Sequence, residues 1–204
     1  LLAYIEKRFL EKGYTARTGV ELEFFLTRII DGKPVPADDC GYFDVSSART
    51  MLHVVEEIEE KAYRLGLGPS KMHHEVAPGQ YEYNLRVTTP LQAADRLLFL
   101  RDLITQVASR HGLEATFMPK PFWGVNGSGA HLHLSIHRDE RNLTGEDGSL
   151  TSIGRSLVAG LLRYAKDISA LAASTVNSYK RLVPGHEAPT RIAWGYANRS
   201  ALVR

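Results

Sequence analysis

In residues 19–25, GVELEFF, apolar side chains alternate with two glutamates, and that period restricts the segment to a β-strand. Val20, Leu22 and Phe24 then share one face, and Glu21 and Glu23 the other. Two carboxylates side by side repel. An edge strand facing solvent would tolerate them. A divalent cation would too, because hard oxygen ligands suit Mg²⁺ or Mn²⁺ and the ion cancels the repulsion. The strand therefore calls for a sheet with an apolar face and a charged one.

Three further segments enlarge the polar set. In NGSGAHLHLSIH, Ala130, Leu132, Leu134 and Ile136 form one face of a strand, and His131, His133, Ser135 and His137 the other. The preceding 126–129 turn, Asn-Gly-Ser-Gly, lets backbone groups approach a ligand closely. In SKMHHEVAPGQYEYNLRV, Glu75 and Glu82 flank a reversal at Pro78 and Gly79 that can return both carboxylates to a shared point. The last segment, NSYKRLVPGHEAPTRIAWGYANRSALVR, carries Arg181, Arg191, Arg199 and Arg204 around a Pro-Gly loop bearing Glu187, and guanidinium forks bind carboxylates and phosphates bidentately.

Between these segments the periodicity is helical. A short helix is expected over 3–12, and the first strand over 19–30, ending at the turn Asp31-Gly32-Lys33-Pro34. From 47 to 65, Met51, Val55, Ile58, Ala62 and Leu65 recur at helical spacing opposite a glutamate-rich solvated side. The clearest helix spans 90–111, with Thr89 as N-cap, Pro90 in the first position and Gly112 as the stop. Another covers 151–173. Strands separated by long helices, without a regular βαβ repeat, predict an α+β fold.

At 204 residues, 44% hydrophobic and 24% charged, the chain is long enough for one large domain. With 25 basic and 23 acidic residues interspersed, it has no basic stripe for nucleic acid. The one cysteine, Cys40, excludes an intrachain disulfide, and no apolar run approaches the ~20 residues of a membrane span. A reducing, cytoplasmic setting is expected. The chain starts at Leu1 without a signal-peptide pattern and stops inside a strand-like RSALVR, so it reads as an internal piece of a longer protein.

Four glutamates and a histidine suited to divalent metals, with arginines suited to phosphate and carboxylate, describe a phosphoryl-transfer site that also binds an acidic substrate. Neither a GxxxxGK[ST] loop nor a GxSxG elbow occurs.

At these residues the sequence resembles glutamine synthetase. GVELEFF, HHEVAPGQYE, NGSGAHLHLS, NSYKRLVPGHEAP and ANRSALVR follow the family's order from residue 19 to the last residue. The resemblance implies an ATP-dependent ligase that phosphorylates the γ-carboxylate of L-glutamate and lets ammonia displace the phosphate. It implies one Mg²⁺ or Mn²⁺ among Glu23, Glu75 and Glu82, and a second at Glu21 and His131 beside the ATP phosphates. Asn126 and Gly127 are similar to the glutamate-binding turn, and Arg181 to the partner of its α-carboxylate. His133 and Ser135 match nucleotide-contacting positions, and Arg199 and Arg204 the arginines that steady the transferred phosphoryl group. Glu187 matches the glutamate of a flap that closes over the acyl phosphate and takes a proton from ammonium.

The same resemblance implies a curved antiparallel sheet whose concave face carries the metal ligands, backed by helices. It also implies a dodecamer of two hexameric rings with shared active sites. An N-terminal β-grasp domain and a C-terminal remainder, with a third ligand for the second metal and a further substrate arginine, would lie outside the chain, so residues 1–204 alone are expected to be inactive. The sequence departs from the family pattern at Ser70, where many members have a nucleotide-contacting glutamate, and at His186, where the flap usually has tyrosine. The Glu75 to Glu82 spacing of seven points to a divergent or archaeal-like branch. The alternatives are a γ-glutamyl-amine ligase, whose relatives often lose the equivalents of Glu187 and Asn126, and a non-catalytic homologue, which would be expected to lose metal ligands.

Overall fold

The structure, a computed structural model, describes residues 1–204, the side chains of 47–49 excepted. Helix α1 (Leu2–Glu11) leads into the long strand β1 (Thr15–Ile30), which turns through Asp31 and Gly32 into β2 (Lys33–Pro36). Helix α2 (Val45–Arg64) precedes β3 (Pro69–His74) and β4 (Gln80–Thr88), and α3 (Pro90–Arg110) precedes β5 (Glu114–Thr116) and β6 (Ala130–Arg138). Short strands β7 (Arg141–Asn142), β8 (Gly145–Glu146) and β9 (Ser149–Leu150) follow. Helices α4 (Ser152–Arg163), α5 (Ala165–Ala172) and α6 (Val176–Arg181) and the pair β10 (Arg191–Trp194) and β11 (Ala201–Val203) complete the chain.

The main sheet is antiparallel and curled, with the order β3-β4-β1-β6-β7; β2 and β5 also pair with β1. This is the α+β arrangement expected. β1 is the axis of the sheet and not an edge, so the solvent-edge explanation for its two glutamates fails. Its alternation sorts the side chains as the sequence requires. Val20, Leu22, Phe24 and Leu26 are buried in a core with Val54 and Ile58 of α2 and Leu100, Ile104 and Val107 of α3. Phe24 lies 6.0 Å from the Tyr81 ring and 5.8 Å from Phe117 between centroids. Each such side chain contributes roughly 1.5–3 kcal/mol of transfer free energy. Glu21 and Glu23 face the other way, as does Phe25, which Phe122 covers edge-on at 5.5 Å.

The helices begin where capping chemistry allows. Thr89 Oγ1 accepts from the Gln92 N–H, with Pro90 in the first turn, and Gly112 follows α3 at a positive φ of 68°. α2 starts at Val45, two residues before the expectation, because the Asp44 carboxylate accepts from the Ser46 N–H at 2.8 Å. The single helix expected over 151–173 is two, interrupted at Tyr164. α4 packs against β10 and β11. The apolar face expected on β6 is also not core: Leu132 is 61% and Leu134 41% exposed, because α2 and α3 sit behind β1 and β4. Among the described residues no helix is long and apolar enough to cross a membrane.

Candidate active site

The polar faces of four neighbouring strands add up to one acidic surface. Glu21 pairs with Asn84 on β4 and with His131 on β6; Glu23 pairs with Glu82, which in turn pairs with His73 on β3. The reversal after β3 folds tightly. Glu75 N–H donates to the Gln80 carbonyl at 2.7 Å and Gln80 N–H to the Ala77 carbonyl at 3.0 Å. Gly79 at its corner has φ +68°, and a Cβ there would sit 2.8 Å from the Leu26 carbonyl oxygen, so no other residue fits. Behind the reversal, the Asp38 carboxylate accepts from His74 Nε2 at 2.9 Å, Gly79 N–H at 3.0 Å, Tyr81 Oη at 2.8 Å and Cys40 N–H at 3.1 Å. Burial alone would raise its pKa, but His74, Tyr81 and Gly79 together hold it down to about 2.

Three carboxylates of the cleft, Glu21, Glu23 and Glu82, are shifted from the ordinary range. Burial pushes Glu23 up to about 7, and the negative charges of Glu75 and Glu82 add to the push against the Gly129 N–H and the Arg181 charge. Glu82 is also raised, by burial first and then by Glu21. Glu21 is itself partly desolvated, yet its hydrogen bonds to His133 Nε2 at 2.7 Å and His131 Nδ1 at 3.1 Å hold it below the usual range. His131 is lowered by burial and by the charges of Arg204 and Arg181, which leaves a neutral imidazole able to offer a lone pair.

Ligand atoms of Glu21, Glu82 and His131 lie within 4.8 Å of one another, and so do those of His73, Glu75 and Glu82. Glu82 belongs to both groups. Buried carboxylates with a neutral imidazole form a donor set that fits a hard divalent cation, which would offset the burial and the like charges that raise Glu23 and Glu82.

The basic half of the cleft comes from the C-terminal third of the chain. A capping box between Thr175 and Ser178 starts α6, and Asn177 clamps it to Lys120 through a bond from the Lys120 N–H at 2.7 Å and one to the Lys120 carbonyl at 2.9 Å. This docking brings Arg181 under the 126–129 turn. Gly127 there packs so closely that a Cβ would lie 2.0 Å from the Pro119 carbonyl oxygen. Arg199 forms an ion pair with Glu187, which also accepts from Asn126 Nδ2 at 3.4 Å; Asn126 Oδ1 lies 3.2 Å from His186 Nδ1. Glu187 holds a positive φ of 51°, two residues after Gly185 at 81°. Arg204 Nη2 is 3.9 Å from Glu21 Oε2.

The resulting cleft measures about 210 Å³ and is lined by Glu21, Glu23, Glu75, Glu82, His131, Asn126, Gly127, Arg181, Glu187, Arg199 and Arg204. His133 and Ser135 lie outside it: His133 holds Glu21, and Ser135 Oγ bonds His137 Nε2 at 2.9 Å. Tyr42, Lys71, His73, Gln80, Asn84 and His186 also line the cleft without having been singled out as site residues from sequence. For most of them a signal existed, since Lys71, His73 and Glu75, and likewise Gln80, Glu82 and Asn84, alternate at the strand period.

Residues 1–204 match the family described as glutamine synthetase, catalytic domain. The chain is 42% identical to the glutamine synthetase of Thermotoga maritima over 98% of its length and 48% of that protein's. It is 43% identical to that of Pyrococcus furiosus over 98% of its length and 47% of that protein's. The chain thus spans about half the length of these curated relatives. Among solved structures, the GmaS/ADP complex superposes with a TM-score of 0.89 at 38% identity, covering 98% of this chain and 49% of that one. Fold, cleft and sequence agree: the chain belongs to the glutamine synthetase catalytic-domain family.

Proposed function

We propose that the protein containing this chain joins ammonium to the γ-carboxylate of L-glutamate at the expense of ATP, through a γ-glutamyl phosphate. The observation that carries this reading is one cleft holding four glutamates and His131 on one side, and Arg181, Arg199, Arg204 and Glu187 on the other. Bound Mg²⁺ or Mn²⁺ would neutralise the charge that accumulates as a carboxylate attacks the terminal phosphate of ATP. Glu23, Glu75 and Glu82 would hold one ion, and Glu21 with His131 the other.

The chain's own residues supply the rest. Arg181 orients the substrate α-carboxylate against the Asn126 and Gly127 turn. Arg199 and Arg204 neutralise the phosphoryl group in transfer. Glu187 takes a proton from ammonium, and closure of its loop keeps water from the acyl phosphate. His133 and Ser135, outside the cleft, extend toward the nucleotide. A nucleotide site is also favoured by the solved neighbour, which was captured with ADP. The whole protein is proposed to be a cytoplasmic homo-oligomer, of dodecamer type, with a β-grasp domain and a C-terminal remainder outside this chain and no nucleic-acid or membrane partner.

The test is ADP release by the full-length protein with Mg²⁺, ATP and L-glutamate, comparing ammonium with a panel of primary amines. Turnover with ammonium confirms the reading. Turnover with amines alone moves the assignment to a γ-glutamyl-amine ligase, and no turnover with either acceptor sinks both in favour of a non-catalytic homologue.

A further inference from the structure

Gln80 opens β4 and is 1% exposed, and every polar atom of its side chain is used. Nε2 donates to Glu23 Oε2 at 3.1 Å and to the Gly127 carbonyl at 3.2 Å, while Oε1 accepts from the Ala77 N–H at 3.2 Å. The orientation of the amide is forced. A carboxylate and a carbonyl can only accept, and a backbone N–H can only donate, so the flipped amide would satisfy none of the three. One buried side chain thus joins the strand bearing Glu23, the reversal bearing Glu75, and the 126–129 turn.

The bond to Glu23 also decides which oxygen that residue offers. Oε2 accepts from both Gln80 Nε2 and the Gly129 N–H at 2.8 Å, so it is saturated from behind. Oε1 remains, 3.6 Å from His131 Nδ1, on the side of the other carboxylates. Gln80 therefore aims Glu23 at the cation position with one hydrogen and fixes the Gly127 carbonyl with the other.

We infer that Gln80 is a positioning residue that couples cation binding to binding of the amino-acid substrate. The inference rests on the proposed function, which places the cation at Glu23 and L-glutamate at the 126–127 turn. A cation that pulls Glu23 into register draws the amide, and with it the Gly127 carbonyl, toward the geometry the substrate needs. Linkage makes the effect reciprocal: the amino acid must tighten the cation by the factor by which the cation tightens the amino acid.

The experiment titrates Mn²⁺ into the full-length protein, reading free Mn²⁺ by electron paramagnetic resonance with and without saturating L-glutamate. It compares wild type with Gln80→Met, which keeps the volume and removes both donors, and Gln80→Glu, which changes one atom and also cannot donate when ionised. In wild type, L-glutamate should tighten Mn²⁺ by about fivefold or more. In both variants that ratio should fall by about threefold or more, while Mn²⁺ alone stays within roughly 100-fold of wild type.

A purely structural role would lower the melting temperature and weaken both ligands with the ratio preserved, which overturns the coupling. Should Gln80→Met not fold, the near-isosteric Gln80→Glu decides, and a wild-type ratio of one overturns the inference without either variant. Failure of the functional reading looks different: wild type would then bind no Mn²⁺ at all.

Discussion

Glu23 on β1 and Glu82 on β4 face each other directly across an antiparallel pair, each 7% exposed. Opposed like charges weaken a sheet, and here burial removes the water that would screen them. Ionising both therefore carries a cost, although the backbone pairing runs unbroken through the two residues. A cation would turn that cost into an attraction, so saturating Mn²⁺ should stabilise the protein, by about 2.7 kcal/mol at one hundred times its Kd. Glu82→Gln removes the carboxylate common to both ligand groups. It should raise the melting temperature of the metal-free protein and abolish the Mn²⁺-induced rise, both read by differential scanning calorimetry.

The raised pKa of Glu23 sets a pH dependence. In the folded protein the carboxyl stays protonated up to about 7, whereas in the unfolded chain it ionises near the ordinary glutamate value of 4.5. Between these values the native state binds more protons, so this group's stabilisation is complete below pH 4.5 and is lost as pH rises through 7. Metal-free protein should therefore lose this contribution between pH 4.5 and about 7. Mn²⁺ must displace the same proton, so its apparent affinity should rise across that window. Calorimetric titration in buffers of different ionisation enthalpy checks both the affinity trend and the proton release.

Asp38 lies outside the cleft yet bonds the segment that shapes it. Asp38→Ala leaves donors on His74, Gly79 and Tyr81 buried without their acceptor, at about 1–3 kcal/mol for each group that water cannot reach. The variant should melt well below wild type, and Mn²⁺ should restore part of the loss by pinning Glu75 and Glu82. A variant as stable as wild type would show that the reversal holds its shape without Asp38.

Glu187 tests the acceptor step. With the carboxylate removed in Glu187→Ala, the full-length protein should form glutamine roughly 10²–10⁴-fold more slowly, the range for loss of a general base. ADP should fall less, because water admitted to the acyl phosphate would still consume it. A rise in the ratio of ADP to glutamine is the signature, and an unchanged ratio would assign Glu187 to ion pairing with Arg199 alone.

The acidic side of this cleft was legible in the sequence because strand alternation is a strict rule. Once GVELEFF and AHLHLSIH are strands, Glu21, Glu23 and His131 must share faces with charge. Register was not legible: nothing local says that Glu23 meets Glu82, or that Glu21 sits between Asn84 and His131. The burial of Gln80 was not legible for a related reason. A glutamine beside a Pro-Gly turn reads as surface, and only the arrival of β1 and the 126–129 turn buries it. The exposed Leu132 and Leu134 show the converse, since alternation marks a face as apolar without saying which helices will reach it. The break at Tyr164 was not legible either, since the stretch carries Gly154 and Gly160 but no proline or glycine at the break itself.

The pairing of β1 with β6 also bears on how the chain reaches its native state. Glu21 and His131 meet across 110 residues, and Gln80 meets Gly127 across 47. Contacts of such sequence separation require loop closure before they return any energy, so they form late and slow the search. The acidic cleft is thus complete only once these long loops have closed. A divalent ion, by drawing residues 21, 82 and 131 to one point, would favour the closing of these loops as well as the native state.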